Sequence, residues 1–573
     1  MESTENIKEG FFTSFPRKFV KEGEKIKGWE ELAPYFSNLS EVVIGSVEEL
    51  ETWLEKWSEV SAVADEFCTS RYIAMTCHTD DEEKTEAYLH CIREVEPKLV
   101  EWGHRLNEKY MASPFRGDLK IDGHERLDRM ISEDVALYSE KNIPLQIKLQ
   151  ELSQEYQGIM GAMTVMFDGS EKTMPQMALY LKDMDRSLRE RAFKAMIERR
   201  LREKDKLEDI FDKMLALRVE WAQNLGLQDY REYAFRSKLR DYTPDDCITF
   251  HKAIEETVVP LAREISGRRK KELGVEKLAP WDTACDTKGR SPLKPFAKAD
   301  ELYDGVLEVF GLVDKRLGNM FGAIKEYMDL DSRKGKAPGG YQATLAEARV
   351  PFIFTNAVGS HDDVNTLLHE GGHAFHTIQC RDAQVLWLRH AGMEFSEVAS
   401  MSMELIGGDH LEPFYDNEED IERAKRERME SIVSLFAWVA QVDAFQHWIY
   451  TNPGHSRDER KKAWSDLAER FNIGTDWSFA PEGALEYAWH RQLHIFEYPF
   501  YYVEYAIAQL GALQIYRNSL ENPEKSIEEY LSALALGGAR SPKGLFESAG
   551  ARFDFSSNLL GELMNLAKVA LKL

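Results

Sequence analysis

The stretch Thr366-Leu367-Leu368-His369-Glu370-Gly371-Gly372-His373 sets two imidazoles four residues apart. On a helix, residues at that interval project from one face, so both rings can grip a single metal ion. Glu370 follows the first histidine and reaches toward a water on such a metal rather than the metal itself. The H-E-x-x-H pattern couples a zinc ion held by two histidines to a glutamate general base for peptide hydrolysis. The competing reading is an amphipathic helix whose histidines are ordinary core or surface residues. Gly371 and Gly372 weigh against it. A mid-helix glycine costs about 1 kcal/mol relative to alanine, and what it provides is room for another backbone close to the metal face.

A catalytic zinc takes three protein ligands and keeps a fourth position for water. His376 lies about 10.5 Å further along a helix than His369, at ~1.5 Å per residue, too far to share the ion with both histidines. The third ligand must therefore come from another element, and Glu394, Glu397 and Glu404 are the nearby acids. Thermolysin-type and aminopeptidase-type spacings would place it at Met393 or Gly392, and neither is an acid. Glu397 opens an apolar stretch running to Ile406 that reads as a helix, with Glu404 seven residues on and on the same face. That arrangement suits Glu397 as ligand and Glu404 as acceptor of a hydrogen bond from a ligand histidine. Without the histidine motif, two solvated helix carboxylates would be the better reading.

Asp363 to His373 followed by Glu397-Val398-Ala399-Ser400 resembles the thimet oligopeptidase and oligoendopeptidase F family of zinc metallopeptidases, most closely its bacterial oligoendopeptidase F and Pz-peptidase branch. Lys334 to Tyr341, Pro351 to Asn356 and Asp185 to Ala192 carry the same similarity, which runs from about Leu149 to Ser541. The resemblance implies a mainly α-helical fold of two lobes enclosing a deep substrate channel, with a small β-sheet beside the zinc helix. It implies one zinc per chain on His369, His373 and Glu397, and short peptides as substrates. Glu370 would then take the proton of the attacking water and return it to the leaving amine. Two other classes stand beside this one: a zinc exopeptidase, for which no charged cluster to hold a peptide terminus is assignable, and an inactive peptide-binding protein. A His2Glu set also accepts cobalt or manganese.

A second cluster lies near the C-terminus, from His490 through His494, Tyr498, Tyr502 and Tyr505. Taken alone, an aromatic stripe is more often core than catalytic. The three tyrosines nevertheless sit at i, i+4 and i+7, which predicts hydroxyls on one side of a helix starting near Pro499. The resemblance places a histidine followed by tyrosines opposite the zinc, so that His494, Tyr498, Tyr502 and Tyr505 donate to the oxyanion of the tetrahedral intermediate. The interval from His494 to Tyr498 is one residue shorter than in thimet-type members, which leaves the roles undivided among the tyrosines.

The elements that must position these residues are mostly helical. Residues 46–112 read as two or three amphipathic helices broken at Thr79-Asp80-Asp81, and the pattern resumes from Asp128 to Gln154 with a restart at Pro144. Tyr156 to Phe167 reads as a small hairpin ending in Asp168-Gly169, while Asp183 to Asn224 and Pro244 to Leu273 read as long charged helices. After a loop from Lys277 to Phe296, Tyr341 to Leu345 and Val350 to Asn356 are short strands just before the zinc helix. An edge strand there would let an extended peptide add its backbone hydrogen bonds; an ordinary core hairpin would use the same residues. The provisional division is a helical lobe over 1–185 and a catalytic domain over 186–573.

Length and composition fit that picture. A chain of 573 residues with 43% hydrophobic content and 12 Trp can fill more than one core. A net charge of −26 argues against nucleic acid or an anionic membrane as partner, since both select a basic face. Met1 to Lys8 lacks the layout of a signal peptide. The most apolar long run, Ile432 to Tyr450, is interrupted by Gln441, Asp443, Gln446 and His447. Six scattered cysteines read as reduced thiols of a cytoplasmic protein, with Cys380 buried and inert. Composition leaves the choice between monomer and homo-oligomer open.

Overall fold

The computed structural model describes Phe12 and residues 14–573, so the Met1 to Lys8 stretch lies outside the described residues. The architecture is mainly helical with two small sheets. By packing, the chain forms two compact units, each assembled from three stretches. The first comprises Met1–Ala136, Leu293–Lys425 and Ile507–Phe553; the second comprises Leu137–Pro292, Arg426–Ala506 and Asp554–Leu573. This division does not follow a cut between residues 185 and 186. The physical reason is in the first unit's core. Leu50, Trp53, Trp57, Leu106 and Tyr110 from the N-terminal helices share one buried cluster with Val385 and Leu388. Trp57 packs edge-on against Trp387 at 4.5 Å, so the N-terminal helices and the residues around the motif form one body.

In the first unit, helices Val47–Cys77, Glu82–His90 and Glu96–Met111 follow the expected amphipathic pattern, with the break where Asp81 caps the second of them. Strands β3 (Met328–Asp331), β4 (Tyr341–Leu345) and β5 (Val350–Ala357) form a sheet in the order β3-β5-β4, numbered after the hairpin strands β1 (Thr164–Phe167) and β2 (Ser170–Thr173) of the second unit. β4 pairs antiparallel to β5, from Tyr341 opposite Phe354 to Leu345 opposite Val350, and β3 pairs parallel to β5. β4 is thus an edge strand. Its Thr344 and Gln342 side chains hydrogen-bond Thr377 Oγ1 at 3.0 and 3.2 Å. β5 leads directly into the histidine helix, His361–Gln379. A capping box starts that helix: Ser360 Oγ accepts from the Asp363 N–H and Asp363 Oδ2 accepts from the Ser360 N–H at 2.8 Å.

In the second unit, helices Ile143–Gly161, Arg186–Leu201, Lys204–Asn224 and Pro244–Glu272 fill the regions that read as helical. The hairpin is shorter than the reading from Tyr156. Tyr156 itself is buried in a helix, and β1 and β2 turn at Asp168-Gly169, both at positive φ, as a two-residue hairpin turn requires. The stretch Asp185 to Ala192 has a structural task. Asp282, fully buried, receives Arg186 Nη2 and Arg189 Nη2, both at 2.9 Å, and Arg189 Nε donates to the Trp281 carbonyl. Burial alone would raise the Asp282 carboxyl, but the two guanidiniums hold it below the usual carboxylate range. All six cysteines are free and buried. Among the described residues, no helix is long and apolar enough to cross a membrane.

Removing one partner of a buried ion pair strands the other charge. Asp282→Ala should therefore destabilise the second unit by about 3–5 kcal/mol, read as a lowered denaturant midpoint. In the wild-type protein this contribution is present above pH ~4 and is lost as pH falls toward the depressed carboxyl pKa.

Candidate metal centre

The histidine helix and the helix Met393–Gly407 pack extensively against one another. A Cβ placed on Gly372 would lie 2.5 Å from both the Ala399 carbonyl oxygen and the Ser400 Cα, and one on Gly371 would meet the Phe310 ring at 2.7 Å. The two glycines thus admit a neighbouring backbone on one side and an aromatic ring on the other. Tyr530 secures the second helix by donating its hydroxyl to the same Ala399 carbonyl at 2.9 Å.

That approach brings three donors together. His369 Nε2 and His373 Nε2 are 3.1 Å apart, and Glu397 Oε2 lies 3.4 and 3.8 Å from them. Ligand edges of a tetrahedral zinc site with ~2.0–2.1 Å bonds are about 3.3–3.4 Å, so this donor set fits such an ion. The other side of each ring is also held. His369 Nδ1 donates to Glu404 Oε1 at 2.7 Å, which turns Nε2 toward Glu397, and the His373 ring hydrogen-bonds the Ser396 backbone. Ser400 Oγ, 3.1 Å from Glu397 Oε2, orients the carboxylate. Glu394 and His376 stand outside the cluster. His376 is buried against Phe395, and burial with the neighbouring His390 pushes its imidazole down to about 3.

Glu370 is buried beside the donors, and its Oε2 has no hydrogen-bond partner among the described residues. Burial pushes its carboxyl up to about 7; Glu397 and Glu404 add to the rise, while His369 and the Gln342 backbone of β4 oppose it. Burial lowers the His369 ring, but the Glu404 hydrogen bond and the surrounding carboxylates override it and hold the imidazole at about 9. A group with pKa near neutrality, next to converging metal donors, is suited to taking up and releasing a proton.

His494 and the tyrosines belong to the second unit. The helix expected from Pro499 starts only at Val503, so Tyr498 and Tyr502 lie outside it. Tyr498, at the end of the short helix Leu493–Glu497, is kept out of the helical conformation by the proline that follows. Phe500 then takes φ +63°, a conformation that disfavours helix. The Gln446 side chain accepts from the Phe500 N–H at 2.8 Å, and Arg240, buried with Glu504 at 2.6 Å, donates to its carbonyl. This turn, rather than a helical period, gathers the rings around His494: Tyr502 at 4.9 Å, Tyr505 at 5.9 Å, Tyr498 at 6.4 Å and the unanticipated Tyr501 stacked at 5.6 Å. Gln492 was likewise not legible. Its Oε1 accepts from Trp438 Nε1 at 3.1 Å and its Nε2 donates to His494 Nδ1 at 2.8 Å, which keeps the His494 proton on Nε2. No sequence period marks Gln492 or Trp438, since both act through the turn.

The Peptidase family M3 profile matches residues 179–565, and the Peptidase M3 N-terminal domain profile matches residues 25–135. The chain belongs to Peptidase family M3. Within that family, an oligoendopeptidase F homolog of Borreliella burgdorferi is 24% identical over 473 residues, covering 78% of this chain and 76% of the relative. A solved structure, Pz peptidase A with an inhibitor, is 26% identical with a TM-score of 0.86, covering 97% of this chain and 99% of the other. A structure of an oligoendopeptidase F from Bacillus anthracis, 24% identical with a TM-score of 0.82 and covering 97% and 99%, shares the fold.

Gly372→Ala should force the two helices apart and separate Glu397 from the histidines. A displacement of about 1 Å at reacting groups costs on the order of 100-fold in rate. The variant should show that loss in peptidase kcat/KM together with weakened metal retention, while its far-ultraviolet circular dichroism stays that of the wild type.

Proposed function

We propose that this M3 peptidase is a zinc-dependent endopeptidase that hydrolyses internal bonds of short oligopeptides in the cytoplasm. The observation that carries the reading is the convergence of His369, His373 and Glu397 beside a buried Glu370 whose carboxyl is raised to about 7. Similarity to oligoendopeptidase F and Pz-peptidase proteins supports the substrate class, and the six free thiols support the compartment.

His369, His373 and Glu397 would hold the zinc, with Glu404 fixing the His369 tautomer and Ser400 the Glu397 rotamer. Zinc at this position supplies a Lewis acid that polarises the scissile carbonyl and makes a water more acidic. Glu370 accepts the proton of the attacking water and delivers it to the leaving amine. Its burial serves both steps, because a carboxyl poised near neutrality exchanges a proton in either direction. The edge of β4 offers backbone groups to an extended peptide. His494, with its proton on Nε2, and Tyr498, Tyr502 and Tyr505 are the donors assigned to the oxyanion.

A peptide blocked at both ends separates internal from terminal cleavage. Wild type should cut it internally. Glu370→Gln should keep wild-type metal content while kcat falls about 10²–10⁴-fold, and His369→Ala should lose the metal of this site. Cleavage confined to peptides with a free terminus would replace the endopeptidase reading with an exopeptidase. Full activity in Glu370→Gln would remove that residue from its role.

A further inference from the structure

The second unit contains another group of metal-type donors. Cys247, Asp443 and His447 are all buried, and each offers a ligand atom within 4.8 Å of the other two. The sequence places them in two four-residue intervals, Cys247 with His251 on helix Pro244–Glu272 and Asp443 with His447 on helix Glu418–Thr451. At that interval each pair projects from one helix face. The two helices therefore present four donor-bearing side chains to a common point.

We propose that Cys247, Asp443 and His447 form a second, structural zinc site that staples these two helices, with His251 orienting the aspartate. His251 Nε2 lies 2.8 Å from Asp443 Oδ2, the kind of hydrogen bond that fixes a ligand carboxylate. His447 Nε2 is 3.4 Å from the same carboxylate oxygen, close to the ~3.3 Å nitrogen–oxygen edge of a tetrahedral zinc site.

Two observations separate this cluster from an ordinary polar knot. Asp443 is completely buried and His447 is 6% exposed, yet Asp443 Oδ1 and His447 Nδ1 make no hydrogen bond among the described residues. Buried polar atoms are nearly always hydrogen-bonded, and a cation held between Asp443 and one ring nitrogen of His447 would supply a missing partner. Aromatic rings border the cluster, with Phe500 and Phe235 edge-on to the His447 ring at 5.1 and 6.1 Å. A thiolate, an imidazole and a carboxylate select zinc over calcium or magnesium, which require oxygen ligands throughout. On binding, Cys247 gives up its thiol proton to solvent and the metal–sulfur bond takes its place. Buried between two helices, the site holds structure and has no role in hydrolysis.

The two metal sites differ in one chemical respect: only this one contains sulfur. Full-length wild type, His369→Ala and Cys247→Ser proteins would be stripped, titrated with cobalt(II), and assayed for bound metal and for thiolate-to-cobalt charge-transfer absorption in the near ultraviolet. Wild type should bind two equivalents and show the band. His369→Ala should retain one equivalent with the band undiminished, and its thermal midpoint should fall when a chelator is added. Cys247→Ser should lose the band and one equivalent. Wild type without a thiolate band, or His369→Ala protein without bound metal, would overturn the site, and neither result depends on how well Cys247→Ser folds. A Cys247→Ser protein that keeps both equivalents would overturn it too.

Discussion

At the candidate centre two helix backbones come nearer than side chains normally permit. That constraint falls on Gly372, against which the Ala399 carbonyl and Ser400 Cα are packed with no room for a methyl group. Much of the neighbourhood follows from it. The Glu397 carboxylate reaches the histidines because its helix lies this close, and Glu404, further along the same helix, meets the far side of the His369 ring. The edge strand is tied to the end of the histidine helix through Thr377. Glycine's low helix propensity is accepted here for geometry that no other residue allows.

The electrostatics follow from the same crowding. Three carboxylates and two imidazoles share a largely dry space, and each biases its neighbours' protonation. Glu370 is driven up by burial and by the charge of Glu397 and Glu404, while His369 is held up by those same acids. His373, with no carboxylate on its outer nitrogen, goes the other way: burial and the adjacent histidines push it well below the usual imidazole range. Two chemically identical rings four residues apart are thus made electrically different by what stands behind them.

What the sequence made legible had a period or an immediate chemical reason. His369, His373 and Glu397, which the fold brings together, were singled out by the spacing that a metal site would impose, and β4 was readable to the residue because Gly339-Gly340 precede it. The break between Leu201 and Lys204 was not, since its residues are good helix formers and nothing local stops the helix. β3 was missed for the opposite reason: Met328-Asp329-Leu330-Asp331 is short and acidic, and pairs only because β5 lies beside it. The tyrosines misled because i, i+4 and i+7 suggests a helix, whereas Pro499 and the left-handed Phe500 impose a turn that brings in Tyr501 and Gln492. Tertiary contacts from Gln446 and Arg240 select that turn, and they lie more than fifty residues away.

The first unit's three-part assembly also bears on the order in which a ribosome delivers it. The motif and Glu397 leave the tunnel long before Tyr530, whose hydroxyl closes onto Ala399 behind the Glu397 helix, and before Gly511, packed against Val398 and Phe546. An unfinished chain holds every donor of the centre and lacks the wall that sets them. Completion of the centre therefore waits on the synthesis of Gly511 and Tyr530, and a product that stops before them has the ligands but lacks their frame.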